Sequence, residues 1–333
     1  MLPAVSVREV AVRAGVSVGT VSNVLNNPDK VSTATAGRVN QAIAELGFVP
    51  NGAAQQLRFG HSTSIGFVVL DVANPFFTDV ARGAEARAAQ AGLSLLLANS
   101  DERSEREAIH LDLFERQRVR GVLVTPVGDV GERLARFRAR RIPVVLVDRA
   151  DPTFSSVSVD DVAGGRLAAQ HLIDQGARRI AFVGGPVAIG QVRDRLTGAR
   201  EAVARAAGVD LELVETRSLS VLEGQRAGEA LSARPARSRP DAVFAANDLL
   251  AVGVLQAVAM LRSLRVPDDV ALIGYDDIAF AQATVVPLTS VRQPSEELGR
   301  RAVELLLAET DGVGEPQHVV FQPELIVRRS TLR

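Results

Sequence analysis

The stretch VREVAVRAGVSVGTVSNVLNN (residues 7–27) decides how this chain is read. Ser6 precedes it as an N-cap, and Val7, Val10, Ala11 and Ala14 follow at helical spacing. Gly15 ends that helix and permits a tight turn. Ser17 caps a second helix whose apolar residues are Val21, Val24 and Leu25. Ala11 is small where two helices would cross, Gly15 turns the chain, and Val21 packs under the second helix, which is the spacing of a helix-turn-helix. A third helix is predicted from about Thr33 to Leu46, with Val39, Ile43 and Leu46 on one face, stopped by Gly47 and Pro50. The outward positions of the second helix are Val18, Gly19, Thr20, Ser22, Asn23 and Asn26. A recognition helix presents its N-terminal residues to major-groove edges. Val18 suits a thymine methyl and Asn23 an adenine. The plainer alternative is an ordinary helical hairpin, and no positive charge lies between Arg13 and Lys30.

Charge alone says little. Net charge is −1 over 333 residues, and residues 1–60 hold five basic side chains (Arg8, Arg13, Lys30, Arg38, Arg58) against three acidic ones. That excess is a weak nucleic-acid footprint. Other features exclude whole classes. No run of 18 apolar residues argues for a membrane span. The opening MLPAVSVREV lacks the charged and apolar regions of a signal peptide. With no cysteine, disulfides, zinc fingers and thiol catalysis are absent together, and the expected location is cytoplasmic.

Residues 51–61, NGAAQQLRFGH, read as a linker able to form a short helix, marginal by itself in water. From Ser64 the pattern alternates apolar runs with amphipathic segments. Strands are predicted at 65–72, 93–100, 121–127, 143–149, 179–185, 241–248 and 270–277, and helices at 78–91, 104–118, 131–141, 161–175, 191–207 and 249–264. Such alternation implies parallel sheets covered on both faces. About 270 residues exceed one comfortable core, so two α/β lobes are predicted, with one crossover near 158–164 and the segment 288–307 returning to the first lobe. Ligands bind beyond the carboxyl ends of such strands. Those ends carry Asp71 and Asn74, Asn99 and Asp101, Asp148 and Arg149, Asn247 and Asp248, and Asp276 and Asp277.

The blocks AGVSVGTVSNVLNN, KVS and ELGFVPN resemble the DNA-binding headpiece of the lactose-repressor (LacI/GalR) family. The resemblance continues through SIGFVVLDVANPFF, VSVDDVAGGRLAAQHLIDQGARRIAFVGGP, FAANDLLAVGVLQA, VPDDVALIGYDD and PLTSVRQP, and so covers essentially the whole chain. It implies an N-terminal all-α helix-turn-helix headpiece at 1–49 and a hinge helix or linker at 50–62. It also implies an α/β ligand-binding and dimerisation core at 63–333, built of two Rossmann-like, periplasmic-binding-protein-like lobes. The first lobe is expected at about 63–161 and 292–318, the second at about 162–291 and 319–333.

By this resemblance Val18, Gly19 and Asn23 fall where the family contacts bases, although many members carry Arg at the Asn23 position. Thr20, Ser22 and Asn26, with the helix end capped by Ser17, serve the phosphates. Leu57 matches the residue that the family's hinge helix pushes into the minor groove. The implied effector set is Asn74, Phe76, Phe77, Asp148, Asp160, Arg193, Gln225, Asn247 and Asp276, suited to a hydroxyl-rich, sugar-like ligand.

Enzyme readings fail on inspection. His61, His110, His171 and His318 share no metal spacing, and neither a G-x-S-x-G elbow nor a P-loop occurs. No cofactor and no metal are implied. The sequence therefore reads as an allosteric transcription regulator, a homodimer on pseudo-palindromic operator DNA with no membrane partner, its dimer interface on core helices such as 78–90. Two alternatives stand beside it: a purine-type regulator that needs a corepressor, and a transporter's solute-binding protein. The remainder after the last strand, IVRRSTLR, offers no heptad tail for tetramerisation.

Overall fold

The computed structural model describes residues 5–48, 62–128, 131–261, 264–311 and 315–332. Two compact units, 1–62 and 63–333, are each described by themselves.

The first unit is a three-helix bundle of α1 (Val7–Ala14), α2 (Val18–Asn26) and α3 (Thr33–Leu46), with a 3-10 turn at Pro28–Lys30 between the last two. Each start is capped by a serine. Ser6 and Glu9 form a reciprocal capping box, Ser17 Oγ accepts from Thr20 N at 3.1 Å, and Ser32 Oγ accepts from Thr35 N at 3.4 Å. Gly15 takes φ +65, the left-handed value that the sharp turn into α2 demands. Val10, Val21 and Val39 are fully buried where the helices meet, with Ala11 and Ala42 small enough to let them approach.

The second unit contains two six-stranded sheets. The first is ordered β11-β5-β4-β3-β1-β2, from β1 (Ser64–Val69), β2 (Ser94–Asn99), β3 (Gly121–Val124), β4 (Val144–Val147), β5 (Ser155–Val159) and β11 (His318–Phe321). The second is ordered β12-β10-β9-β8-β6-β7, from β6 (Arg179–Val183), β7 (Asp210–Val214), β8 (Ala242–Ala245), β9 (Ala271–Asp276), β10 (Thr289–Arg292) and β12 (Glu324–Ile326). Every pairing is parallel except β10 with β12. The central strands are buried along their whole length, which their unbroken apolar runs require. Helices α4 (Pro75–Gln90), α5 (Ser104–Gln117), α6 (Gly131–Ala139) and α11 (Ser295–Asp311) go with the first sheet. Helices α7 (Asp161–Asp174), α8 (Gly190–Ala204), α9 (Val221–Ser232) and α10 (Asp248–Leu255) go with the second.

Several predicted features are corrected. The strands β5, β7, β10 and β11, and the helix α9, carry no long apolar run and lie outside the predicted elements, and β12 runs through Ile326, one residue past the end expected of the last strand. Only part of 288–307 returns to the first lobe: β10 pairs with β9 in the second sheet, and α11 alone crosses back. Residues 319–321 belong to the first sheet, because β11 pairs with β5 through Phe321, so the second lobe does not resume at 319. The chain thus passes between the lobes between β5 and α7, between β10 and α11, and between β11 and β12.

Candidate functional site

The carboxyl ends of both sheets face one cleft. It is lined by Leu70, Asn74, Phe76, Phe77 and Asp148 from the first lobe. Ile189, Gln191, Arg195, Leu219, Asn247 and Asp276 line it from the second, around about 270 Å³ of free space that opens partly to solvent.

Arg195 is its centre. The guanidinium is 4% exposed. Its Nε donates to Asp161 Oδ1 at 2.8 Å and its NH1 to the Ala246 carbonyl at 2.8 Å. It lies 3.7 Å above the Tyr275 ring. Helix α8 can hold it there because α7 and α8 cross at glycines: a Cβ on Gly165 would lie 2.0 Å from the Arg195 carbonyl oxygen, and one on Gly198 1.9 Å from that of Val162. Burial works against the Arg195 charge, but Asp161, Tyr275, Asp276 and Asp148 more than offset it, and the cation is held firmly.

Asp276 ends β9 with φ 103, and Asp148 follows β4 with φ 59. Aspartate tolerates the left-handed region better than most residues, and such strain gathers at ligand sites. Asp276 Oδ2 accepts from Asn74 Nδ2 at 3.0 Å, its Oδ1 accepts from Gln293 Nε2 at 2.8 Å, and Arg195 NH1 lies 3.6 Å away. Burial raises its pKa to about 6 against the pull of Arg195, Asn74 and Gln293. Burial, then the charge of Asp161, raises Asp148 well above the usual carboxylate range. Asp148 Oδ2 accepts from Gln191 Nε2 at 2.9 Å across the cleft. Asp148 Oδ1, Gln191 Oε1 and Gln293 Oε1 are buried with no hydrogen-bond partner among the described residues. Acceptors of that kind suit the hydroxyl hydrogens of a polyol.

Of the nine residues expected here, Asn74, Phe76, Phe77, Asp148, Asn247 and Asp276 line the cleft. Arg193 does not. It is 55% exposed and paired with its neighbour Asp194 at 3.0 Å, and Arg195 takes the place expected of it. Asp160 instead caps α7, accepting from Ala163 N at 2.8 Å, and Gln225 bonds Glu229 within α9 at 3.2 Å. Sequence reasoning missed Leu70, Ile189, Gln191, Arg195 and Leu219. The signal for Arg195 was present: it shares a helical stripe with the buried Val192, Leu196, Ala199 and Ala202, whereas Arg193 does not.

On the headpiece, Ser17, Val18 and Gly19 are exposed at the start of α2, and Thr20, Ser22, Asn23 and Asn26 are half-buried. Two of the expected polar contacts are partly spent internally. Ser17 Oγ and Thr20 Oγ1 bond each other at 2.9 Å, and Asn26 Nδ2 turns back to the Ser22 carbonyl at 2.7 Å. Asn23 makes no side-chain hydrogen bond among the described residues, which leaves its amide open for a base edge. Arg13 pairs with Glu45 and is less free for phosphate than the exposed Arg8, Lys30 and Arg38. Leu57 lies outside the described residues.

The three histidines among the described residues are structural. His110 Nε2 lies 3.1 Å from the Asn99 carbonyl, His318 Nδ1 3.0 Å from Ser156 Oγ, and His171 Nε2 2.7 Å from Thr331 Oγ1. No cluster of three metal-ligating side chains and no helix long and apolar enough to cross a membrane occurs among the described residues.

A helix-turn-helix unit and a two-lobed α/β core with a polar cleft are the parts of a ligand-responsive DNA-binding regulator. The chain matches the model of "Bacterial regulatory proteins, lacI family" over residues 6–51 and that of the "Periplasmic binding protein-like domain" over residues 169–331. It is 36% identical to the ribose operon repressor of Bacillus subtilis (strain 168) over 330 residues, 98% of each chain. It is similar to the Lac repressor dimer bound to operator and an anti-inducer, with TM-score 0.85 and 28% identity over 99% of this chain and 100% of that one. It is also similar to a LacI family transcriptional regulator from Enterococcus faecium with bound ribose, with TM-score 0.73 and 27% identity over 80% of this chain and 98% of that one. The protein belongs to the lacI family of transcriptional regulators.

Proposed function

We propose that the protein is a cytoplasmic repressor that binds a pseudo-palindromic operator as a homodimer, and that an uncharged pentose, ribose or a close relative, sets its operator affinity from the cleft. The observation that carries the ligand class is the charge arrangement around Arg195. Its cation is already matched by Asp161, and the cleft adds Asp276, which is ionised above about pH 6. Such a site offers paired acceptors and donors to hydroxyls but repels an anion. The likeness to ribose operon repressors and to a ribose-bound regulator supports the same class. Phe76 and Phe77 pack edge to face, centroids 5.0 Å apart, and do not form a parallel pair between which a planar base would stack, which favours the sugar over a purine corepressor.

A second copy of the chain has a surface to meet. Edge strand β2 exposes Leu96 and Leu97, and neighbouring α5 exposes Ile109 and Leu113. Open edges with apolar side chains are interaction surfaces. Apolar exposure gathers there more than on 78–90, where the exposed positions are polar or alanine. Two headpieces per dimer supply the buried surface that one lacks. A ligand that favours one lobe arrangement by about 1–3 kcal/mol changes operator occupancy roughly 5–150-fold.

Calorimetric titration with D-ribose, D-ribose 5-phosphate and adenine tests the ligand class. D-ribose is expected to bind at least about 100-fold more tightly than its phosphate, since like charges in a site of this kind oppose each other by several kcal/mol. Equal or tighter binding of the phosphate, or binding of adenine alone, overturns the reading.

A further inference from the structure

Glu102 lies outside the cleft lining, yet it joins the two lobes. It follows β2 in the first lobe, and its Oε1 accepts from Leu219 N of the second lobe at 3.2 Å. The Leu219 carbonyl in turn accepts from Asn247 Nδ2 at 3.1 Å, while Asn247 Oδ1 accepts from Leu250 N at 2.9 Å. The amide of Asn247 is thereby fixed at both ends, and Leu219 and Asn247 both line the cleft. A carboxylate of one lobe is thus two hydrogen bonds from a ligand-facing amide of the other.

The backbone holds Glu102 there against its preference. Asp101 and Glu102 take φ 57 and 56, two successive left-handed residues of which neither is glycine. Glu102 N donates to the Leu70 carbonyl at 3.1 Å, and Arg103 N to the Ser100 carbonyl at 3.1 Å, which fixes the turn. The second carboxylate oxygen, Oε2, is buried with no hydrogen-bond partner among the described residues. An ionised carboxylate so placed keeps one oxygen desolvated and unpaired.

We infer that Glu102 is a positioning residue for the effector site, and that closing the lobes onto Leu219 takes up a proton at its carboxyl group. This rests on the reading of the cleft as the effector site. The inter-lobe bond survives protonation, because Oε1 remains an acceptor, while the buried Oε2 loses the charge it cannot pair. Burial is the largest influence on Glu102 and raises its pKa to about 7; the Leu219 N–H opposes this, and the charges of Asp71 and Asp101 add to it. The other charged groups on these two segments are Asp101, Arg103, Arg217 and Glu223. Asp101 pairs with Arg106 at 2.7 Å, and on the Leu219 loop Arg217 N donates to Glu223 Oε2 at 3.1 Å while Glu223 also pairs with Arg226. No cation among these groups contacts Glu102.

The sign follows. With the lobes apart Glu102 is hydrated and titrates in the ordinary carboxylate range, near about 4.3. Protons are held more tightly in the closed form, so its advantage is full below that range and is lost as pH rises through about 7. Between pH 6 and pH 8 the closed-to-open ratio is expected to fall about tenfold.

The test uses the full chain, which has no native cysteine. Spin labels at R116C on α5 and R200C on α8, in protein diluted with unlabelled chain, report the distance between lobes. In otherwise unchanged protein without ligand, the closed population falls at least about tenfold relative to the open from pH 6 to pH 8, and in E102Q, which keeps an acceptor and cannot ionise, the fall is about tenfold smaller, the remaining slope belonging to Asp148 and Asp276, which also bond across the lobes. Titration with D-ribose shows the same slope in affinity, again reduced about tenfold in E102Q. A level profile in the unchanged protein, or an undiminished slope in E102Q, overturns the proposal. Failure of D-ribose to bind at any pH removes the sugar reading, and the ligand-free distances still decide the role of Glu102.

Discussion

Arg195 and Asp161 form an ion pair of 2.8 Å in which both side chains are more than nine-tenths buried, and Asp276 approaches the same guanidinium to 3.6 Å. Removing the arginine strands two buried carboxylates at once. Breaking such a pair from one side costs about 3–5 kcal/mol. Arg195→Ala is therefore expected to destabilise the core by roughly that amount and to abolish measurable effector binding. Arg193→Ala removes only an exposed pair with Asp194 and leaves both within about 0.5 kcal/mol of the starting protein. Urea unfolding and calorimetry on the two variants check the contrast, and an effector affinity lost in Arg193→Ala but kept in Arg195→Ala would reverse the assignment.

Asp276 gives a pH dependence of stability. Its pKa in the folded core is about 6, above the ordinary aspartate value, because it is buried. The stability tied to its proton is therefore full below about pH 4 and is lost as pH rises through about 6, a change of roughly 2–3 kcal/mol. In Asp276→Asn that loss disappears. The difference in unfolding free energy between the two proteins should thus move in favour of the asparagine variant from pH 4 to pH 7, and a difference that stays constant with pH would show that Asp276 does not titrate there.

Asn23 is the open amide of α2. An asparagine paired with an adenine edge discriminates by about 1–3 kcal/mol. Asn23→Ala is expected to weaken operator binding by that amount at one symmetric base pair and to leave binding to random DNA unchanged. Anisotropy titrations on operator and scrambled duplexes measure both, and an equal loss on the two would make Asn23 a phosphate contact instead.

Much of this was legible in the sequence because single residues carried it. Ser6, Ser17 and Ser32 announce helix starts, Gly15 and Gly47 helix ends, and Asp148, Asn247 and Asp276 follow apolar runs directly. What escaped notice has a physical reason. The β5 run SSVSV hides its burial behind serines, which are satisfied by partners over 160 residues away: Ser155 Oγ accepts from Gln317 N, and Ser156 Oγ bonds His318 Nδ1. Such pairing leaves no local trace. Arg193 and Arg195 differ by two positions, which on a helix is more than half a turn, so a small error of alignment exchanges the solvent face for the cleft. Glu102 gave no signal, since its importance comes from Leu219, a residue of the other lobe.

The three passages of the chain between the lobes have a consequence for biosynthesis. The outer strand of the first sheet, β11, is made of residues 318–321, so that sheet stays one strand short until nearly the whole chain has been translated. The lobe begun first is completed only shortly before the second, whose own last strand, β12, follows at Glu324–Ile326. A ribosome-bound nascent chain must carry β5 with an unpaired edge while all of residues 161–292 emerge and fold, and during that interval the half-built sheet is the part most exposed to chaperones and to mispairing with another chain.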